Sequence, residues 1–167
     1  MQEHTLKFLV DHMLGKLAKH LRVLGFDTVY FTQTDVYMLI EKAYQEKRII
    51  LSRNTKLKNI DDFSDFVFIN DDQPDKQLSE VLKYFKIHIS QDQLFTRCLT
   101  CNQKLIVANH EDVKEKVPPY ILGIHKEFSL CPQCKKVYWE GTHLKKMKEM
   151  MWKIVGKKSS GNDFVDG

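Results

Sequence analysis

Four cysteines in two matched pairs constrain this chain more tightly than any other feature. CLTC at 98–101 and CPQC at 131–134 are separated by 29 residues. Each C-x2-C pair places two thiols on one tight turn, and two such turns facing each other close a tetrahedral zinc site. Flanking runs, KLIVA at 104–108 and KVYW at 136–139, read as strands of a ribbon around that site. Four sulfurs from Cys98, Cys101, Cys131 and Cys134 leave no open coordination position, so this zinc is expected to hold the fold rather than act on a substrate. His110, His125 and His143 are further ligands on paper, but the sulfurs already complete the set.

Thiols serve as metal ligands where the surroundings are reducing. No stretch is long and apolar enough to span a membrane. The start, MQEHTLKFLV, has neither a basic leader nor a small-residue cleavage site, so an intracellular, cytoplasmic protein is expected rather than a secreted one.

Upstream of the cysteines the chain alternates strand and helix. LKFLV at 6–10 has the length of a buried strand. Residues 13–24 follow with Leu14, Leu17, Ala18, Leu21 and Leu24 on one face and Lys16, Lys19 and Arg22 on the other. Gly25 is placed to end that helix. TVYF at 28–31, RIILS at 48–52 and FVFIN at 66–70 read as further strands. Thr34 can cap a helix carrying Val36, Leu39, Ile40, Ala43 and Tyr44, and an early Pro74 opens another with Leu78, Val81, Leu82 and Phe85 on its apolar face. Strands separated by helices predict an open parallel α/β sheet flanked by helices. The alternation stops near residues 90–97, which divides the chain into an α/β domain at 1–92 and a ribbon with a basic helix at 93–157. A disordered tail is expected at 158–167.

In an open parallel sheet, ligands bind beyond the carboxyl ends of the strands. Asp11 follows the first strand, Asp35 the second, Ser52, Arg53 and Asn54 the third, and Asn70, Asp71 and Asp72 the fourth. Oxygen ligands gathered at one edge suit Mg²⁺ or Mn²⁺. Such a cation activates water and neutralises charge on a phosphodiester. Each acid also has a local reading: Asp71 or Asp72 as a helix cap, Asp35 as a first-turn acid favoured by the helix dipole. Asp27 precedes its strand and belongs to the opposite edge.

Charge is unevenly spread. Between Lys135 and Lys158 stand eight lysines against Glu140 and Glu149, a surplus of six in a chain whose net charge is +4. A basic end on a slightly acidic body points to an anionic partner, nucleic acid first, with a solvated helix face as the alternative. Lys145 and Lys146 on that end, and Lys16 and Arg53 near the acidic edge, are the candidate backbone contacts. Tyr138 and Trp139 are either stacking surfaces or ribbon core.

FLVDHMLGKLAKHLRVLGFDT, IILSRNTKL and FSLCPQCKKVYWEGTHLKKM together resemble the mut-seven C-terminal RNase domain family over residues 6–150 or so. The resemblance implies a PIN-like nuclease fold joined to a zinc ribbon, RNA as partner, single-stranded or structured, and a metal-dependent phosphodiesterase site. It matches Asp11 to the acid ending the first strand, Asp35 to an acidic position at the second helix, and the four cysteines to the ribbon ligands. The family commonly reads Ser/Thr-Arg-Asp after the third strand, where this chain has Asn54. An amide brings no charge, so the departure weakens the expected metal site unless Asp71 or Asp72 compensates. The expectation is therefore a metal-dependent ribonuclease with Asp11, Asp35, Asn54, Asp71 and Asp72 around the cation, or else a non-catalytic RNA-binding or adaptor module with a degenerate site.

Overall fold

The computed structural model describes residues 6–60 and 65–156. Four parallel strands, β1 (Lys7–Asp11), β2 (Asp27–Phe31), β3 (Ile49–Ser52) and β4 (Phe66–Phe68), form one sheet in the order β2-β1-β3-β4. In β1, Phe8, Leu9 and Val10 are all fully buried. A continuous apolar run is what a strand covered on both faces requires. Successive side chains point to opposite faces. Phe8 and Val10 accordingly enter one core with α1 (Gly15–Val23) and α3 (Pro74–Tyr84), whereas Leu9 enters a second core with α2 (Val36–Glu46).

The parallel sheet and flanking helices of the sequence reading are thus present, with local corrections. The cap of α2 is Asp35 and not Thr34: its carboxylate accepts the backbone N–H groups of Tyr37 (2.8 Å) and Met38 (3.1 Å). A charged acceptor at a helix N-terminus gains from both the bonds and the helix dipole. Neither Asp71 nor Asp72 is the N-cap of α3; Gln73 holds that position with no side-chain bond.

Chain order and strand order do not run together. From β1 the chain moves outward to β2, then crosses back over β1 to β3 and on to β4. The reversal lies between β1 and β3, the switch point where open α/β sheets leave a crevice at their carboxyl edge.

The cysteine-bearing part is a small antiparallel sheet, β5 (Ile106–Ala108), β6 (Phe128–Leu130) and β7 (Val137–Tyr138), in that order. KLIVA and KVYW contribute its edges, but the central strand, FSL, was not read from the sequence. Two short helices, α4 (His110–Val113) and α5 (Pro119–Ile124), fill the interval between the cysteine pairs. The last helix, α6 (Thr142–Gly156), returns to the first sheet and places Met151 and Ile154 in the core of α1 and α3. The expected disordered tail, 158–167, lies outside the described residues. Among the described residues, no helix is long and apolar enough to cross a membrane.

The first cysteine turn docks on the amino edge of the large sheet. Arg22 donates to the carbonyls of Leu99 (2.9 Å), Thr100 (3.0 Å) and Thr28 (2.9 Å). The Asn102 side chain accepts the N–H of Thr28 (2.9 Å) and donates to Asp27 (2.7 Å). Asp27, the first residue of β2 where the sequence placed it just before the strand, therefore lies at the edge opposite Asp11 and serves the seam between the two sheets.

Candidate functional site

Asp11 is the last residue of β1 and is 2% exposed. Parallel register pairs Val10 with Leu51, so the following residues, Asp11 and Ser52, come side by side across the switch point. The buried Ser52 hydroxyl donates to the Asp11 carboxylate and accepts the N–H of Asn54 (2.9 Å). The His12 imidazole Nδ1 lies against the other carboxylate oxygen, with the ring about one-third exposed above it. The Tyr30 hydroxyl, donating to the His12 carbonyl (2.7 Å), fixes the chain at this bend. Each carboxylate oxygen carries two lone pairs, so Asp11 keeps acceptor capacity beyond these two contacts.

The remaining sequence candidates lie beyond strand ends at the same edge, but with local duties. Asn54 caps the 3-10 turn Thr55–Asn59, its side-chain oxygen accepting the N–H of Lys56 (3.0 Å). Asp35 caps α2. The Asp71 carboxylate accepts the N–H of Gln73 (2.8 Å), while the N–H groups of Asn70 (2.9 Å) and Asp71 (2.7 Å) donate to Glu80. Asp72 is exposed. Direct bonds therefore join Asp11, Ser52 and Asn54, whereas Asp35, Asp71 and Asp72 stand apart in their own loops. Arg53 is half-buried; Lys16, Lys145 and Lys146 are exposed. His12 and Glu80 were not among the expected site residues, and Ser52, named among the residues after the third strand, was not expected around the cation. The one signal for Ser52 was a hydroxyl ending an otherwise apolar strand.

Among the described residues, only the four cysteines bring three or more metal-ligating side chains of the His, Cys, Asp and Glu types to one place. Their sulfurs all lie within 4.8 Å of one another, with Cys98 and Cys134 at 3.6 Å and Cys101 and Cys131 at 3.3 Å. The two turns are built alike. The residue after each pair, Asn102 (φ 69°) or Lys135 (φ 63°), is left-handed and returns its N–H to the first cysteine's carbonyl at 3.0 Å. Burial pushes the Cys98 thiol up, but donors from the Tyr138 hydroxyl and from backbone N–H groups outweigh it and bring it down to about 6. Burial and neighbouring sulfurs push Cys101 up to about 12. Four thiolates this close repel one another unless a cation sits among them. Four sulfurs this close together form a donor set that a soft divalent metal ion takes.

A family model described as Mut7-C RNAse domain matches residues 6–151. No curated protein matches the chain.

Proposed function

The chain belongs to the Mut7-C RNAse domain family, and on that premise we propose that it is a metal-dependent ribonuclease carrying a structural zinc ribbon. The observation that supports this reading most is the placement of Asp11. A carboxylate at the end of the central strand, held in one rotamer by Ser52, stands at the switch point of a parallel sheet.

In this reading Asp11 would supply the charged oxygen for Mg²⁺ or Mn²⁺, with Asn54 joined to it through Ser52, while Asp35, Asp71 and Asp72 would add negative charge at the same edge from their own loops. When bound, the cation lowers the pKa of a coordinated water and offsets charge on the phosphate. Ser52 orients Asp11 by its donated bond, the kind of outer contact on which metal affinity depends. Arg53, Lys16, Lys145 and Lys146 take the RNA backbone. Cys98, Cys101, Cys131 and Cys134 would hold zinc, which would close the ribbon and secure the turn that docks on Arg22 and, through Asn102, on Thr28 and Asp27.

The deciding experiment incubates single-stranded and structured RNAs with the zinc-loaded protein and Mg²⁺ or Mn²⁺, alongside Asp11→Asn. Cleavage that needs the added cation and disappears in the variant is expected. Cleavage undiminished in Asp11→Asn rejects the site.

A second reading, an RNA-binding module without catalysis, draws on the local duties of Asp35, Asn54 and Asp71. Each of those side chains satisfies backbone N–H groups in its own loop. It expects salt-sensitive RNA binding and no cleavage with either cation.

A further inference from the structure

A cavity of about 460 Å³ opens between α1, the first cysteine turn, β7 and the start of α6. Its wall includes Lys19, Thr100, Lys136, Tyr138, Trp139 and His143, and no Asp or Glu among the described residues. The volume lies in the range of small-ligand sites. Lys19 and Lys136 are exposed, so their ammonium groups are hydrated and free to meet an anion.

The aromatic wall is fixed rather than adaptable. The Tyr138 hydroxyl accepts the N–H of Leu99 (3.1 Å) and lies 3.2 Å from the Cys98 sulfur. Its ring is thereby tied to the cysteine centre, with the Lys136 ammonium 5.8 Å from the ring centroid. Trp139 packs edge-on against Phe128, leaving the indole partly exposed at the cavity. A rigid aromatic surface beside lysines that form no salt bridge among the described residues fits a planar ring joined to a phosphate.

We propose that this cavity seats one nucleotide of a single-stranded RNA, with the base against Tyr138 and Trp139 and the phosphate on Lys19, Lys136 and His143. The proposal rests on the RNA partner of the preceding reading and deepens it by naming where the strand is held. Helix α1 begins at Gly15, after the 3-10 turn His12–Leu14 that follows Asp11, and Lys19 lies four residues past Gly15, about 6 Å further along the helix axis. The first cysteine turn lies on the amino edge, so a strand anchored in the cavity would follow α1 back to reach the acidic edge. Because Thr100 belongs to one cysteine turn and Lys136 follows the other, the wall exists only while both turns are closed.

The test uses zinc-loaded protein carrying Asp11→Asn, so that no cleavage intervenes, and a labelled single-stranded oligouridylate read by fluorescence anisotropy. Lys19→Ala with Lys136→Ala is expected to weaken binding about tenfold or more and to lower the slope of log affinity against log salt by about 0.7, one single-strand phosphate contact. Lys47→Ala with Lys83→Ala removes equal charge from exposed positions outside the cavity and is expected to do little. In a Trp152→Phe background, Trp139 is the only tryptophan left of two, and RNA is expected to quench it.

Equal weakening by the two lysine pairs would overturn the proposal. So would undiminished binding by the cavity variant, an unquenched Trp139, no binding of the oligouridylate, or uridine 5′-monophosphate binding as tightly as the oligomer. Parent protein that binds through the cavity but never cleaves with Mn²⁺ would reject the ribonuclease and uphold the cavity. Cleavage that persists without cavity dependence would do the reverse.

Discussion

The Ser52 hydroxyl at the end of β3 donates to the Asp11 carboxylate at the end of β1. Both side chains are buried, and the strands that carry them are neighbours only because the chain reverses direction across the sheet. Ser52 has no spare role, since its oxygen also receives the N–H of Asn54.

Ser52→Ala removes a donor from Asp11 and an acceptor from Asn54 at once. Losing an outer contact of this kind typically costs about 10–100-fold in metal affinity or activity. The two groups left short of a partner cost roughly 1–3 kcal/mol in stability. RNA cleavage measured against Mn²⁺ concentration, with thermal unfolding alongside, is expected to show both effects while the far-UV spectrum stays native.

Asn54→Asp is a clean exchange because the side chain caps the turn Thr55–Asn59, and Asp caps as well as Asn. It adds a charge at the residue that Ser52 links to Asp11 and keeps the cap on the Lys56 N–H. Tighter Mn²⁺ binding by titration calorimetry and faster cleavage are expected. A protein inactive both before and after the exchange supports the binding module instead.

Gly25 sits at φ +88°, and a β-carbon there would stand 2.5 Å from the Gln93 carbonyl oxygen. Backbone cannot yield as a flexible side chain would. Gly25→Ala is expected to destabilise by about 1–3 kcal/mol through the positive φ alone, more with the clash, lowering the melting temperature by several degrees. A melting temperature equal to the parent's contradicts the close packing of Gly25 against Gln93, beside the seam that Asp27 and Asn102 form between the two sheets.

Asp27 predicts acid lability of the same seam. Burial pushes its pKa up, but hydrogen bonds from Arg48 and Asn102 outweigh burial and hold it below the usual value of 3.8. A carboxylate lowered in the folded state contributes stability that is full above its unfolded pKa and is lost as pH falls through the folded one. Denaturant midpoints are therefore expected to fall below about pH 4 in the parent. In Asp27→Asn part of that loss is expected to be present already at neutral pH, with a flatter acid limb.

Cys131→Ser, or a strong chelator, is expected to open the sulfur site and release the ribbon. Structural zinc centres supply folding energy directly. One zinc per chain by atomic absorption, lost in the variant together with the protease resistance of residues 93–140 or so, is the expected result. Met151 and Ile154 lie in the first core, so α6 is expected to stay protected.

Much of this molecule is legible in one dimension. Phe8, Leu9 and Val10 form an unbroken apolar run because a strand covered on both faces needs one. The leucine spacing of α1 shows its buried face, and the cysteine spacing shows two sulfur turns. Less legible were FSL, three residues long with no alternation to detect, and the duty of Asp35, where Thr34 offers an equally good capping chemistry one position earlier.

Local pattern determined by itself the strands of the large sheet and its flanking helices, which of their faces are apolar, and that four sulfurs would meet, because side-chain periodicity and turn spacing act over a few residues. Only tertiary structure decided that Asp11 is bonded to Ser52, that Asp27 and Asn102 seal the two sheets together, and that α6 belongs to the first core. Those outcomes depend on strand order and docking between residues tens of positions apart, where many partners of similar chemistry compete and packing alone selects one.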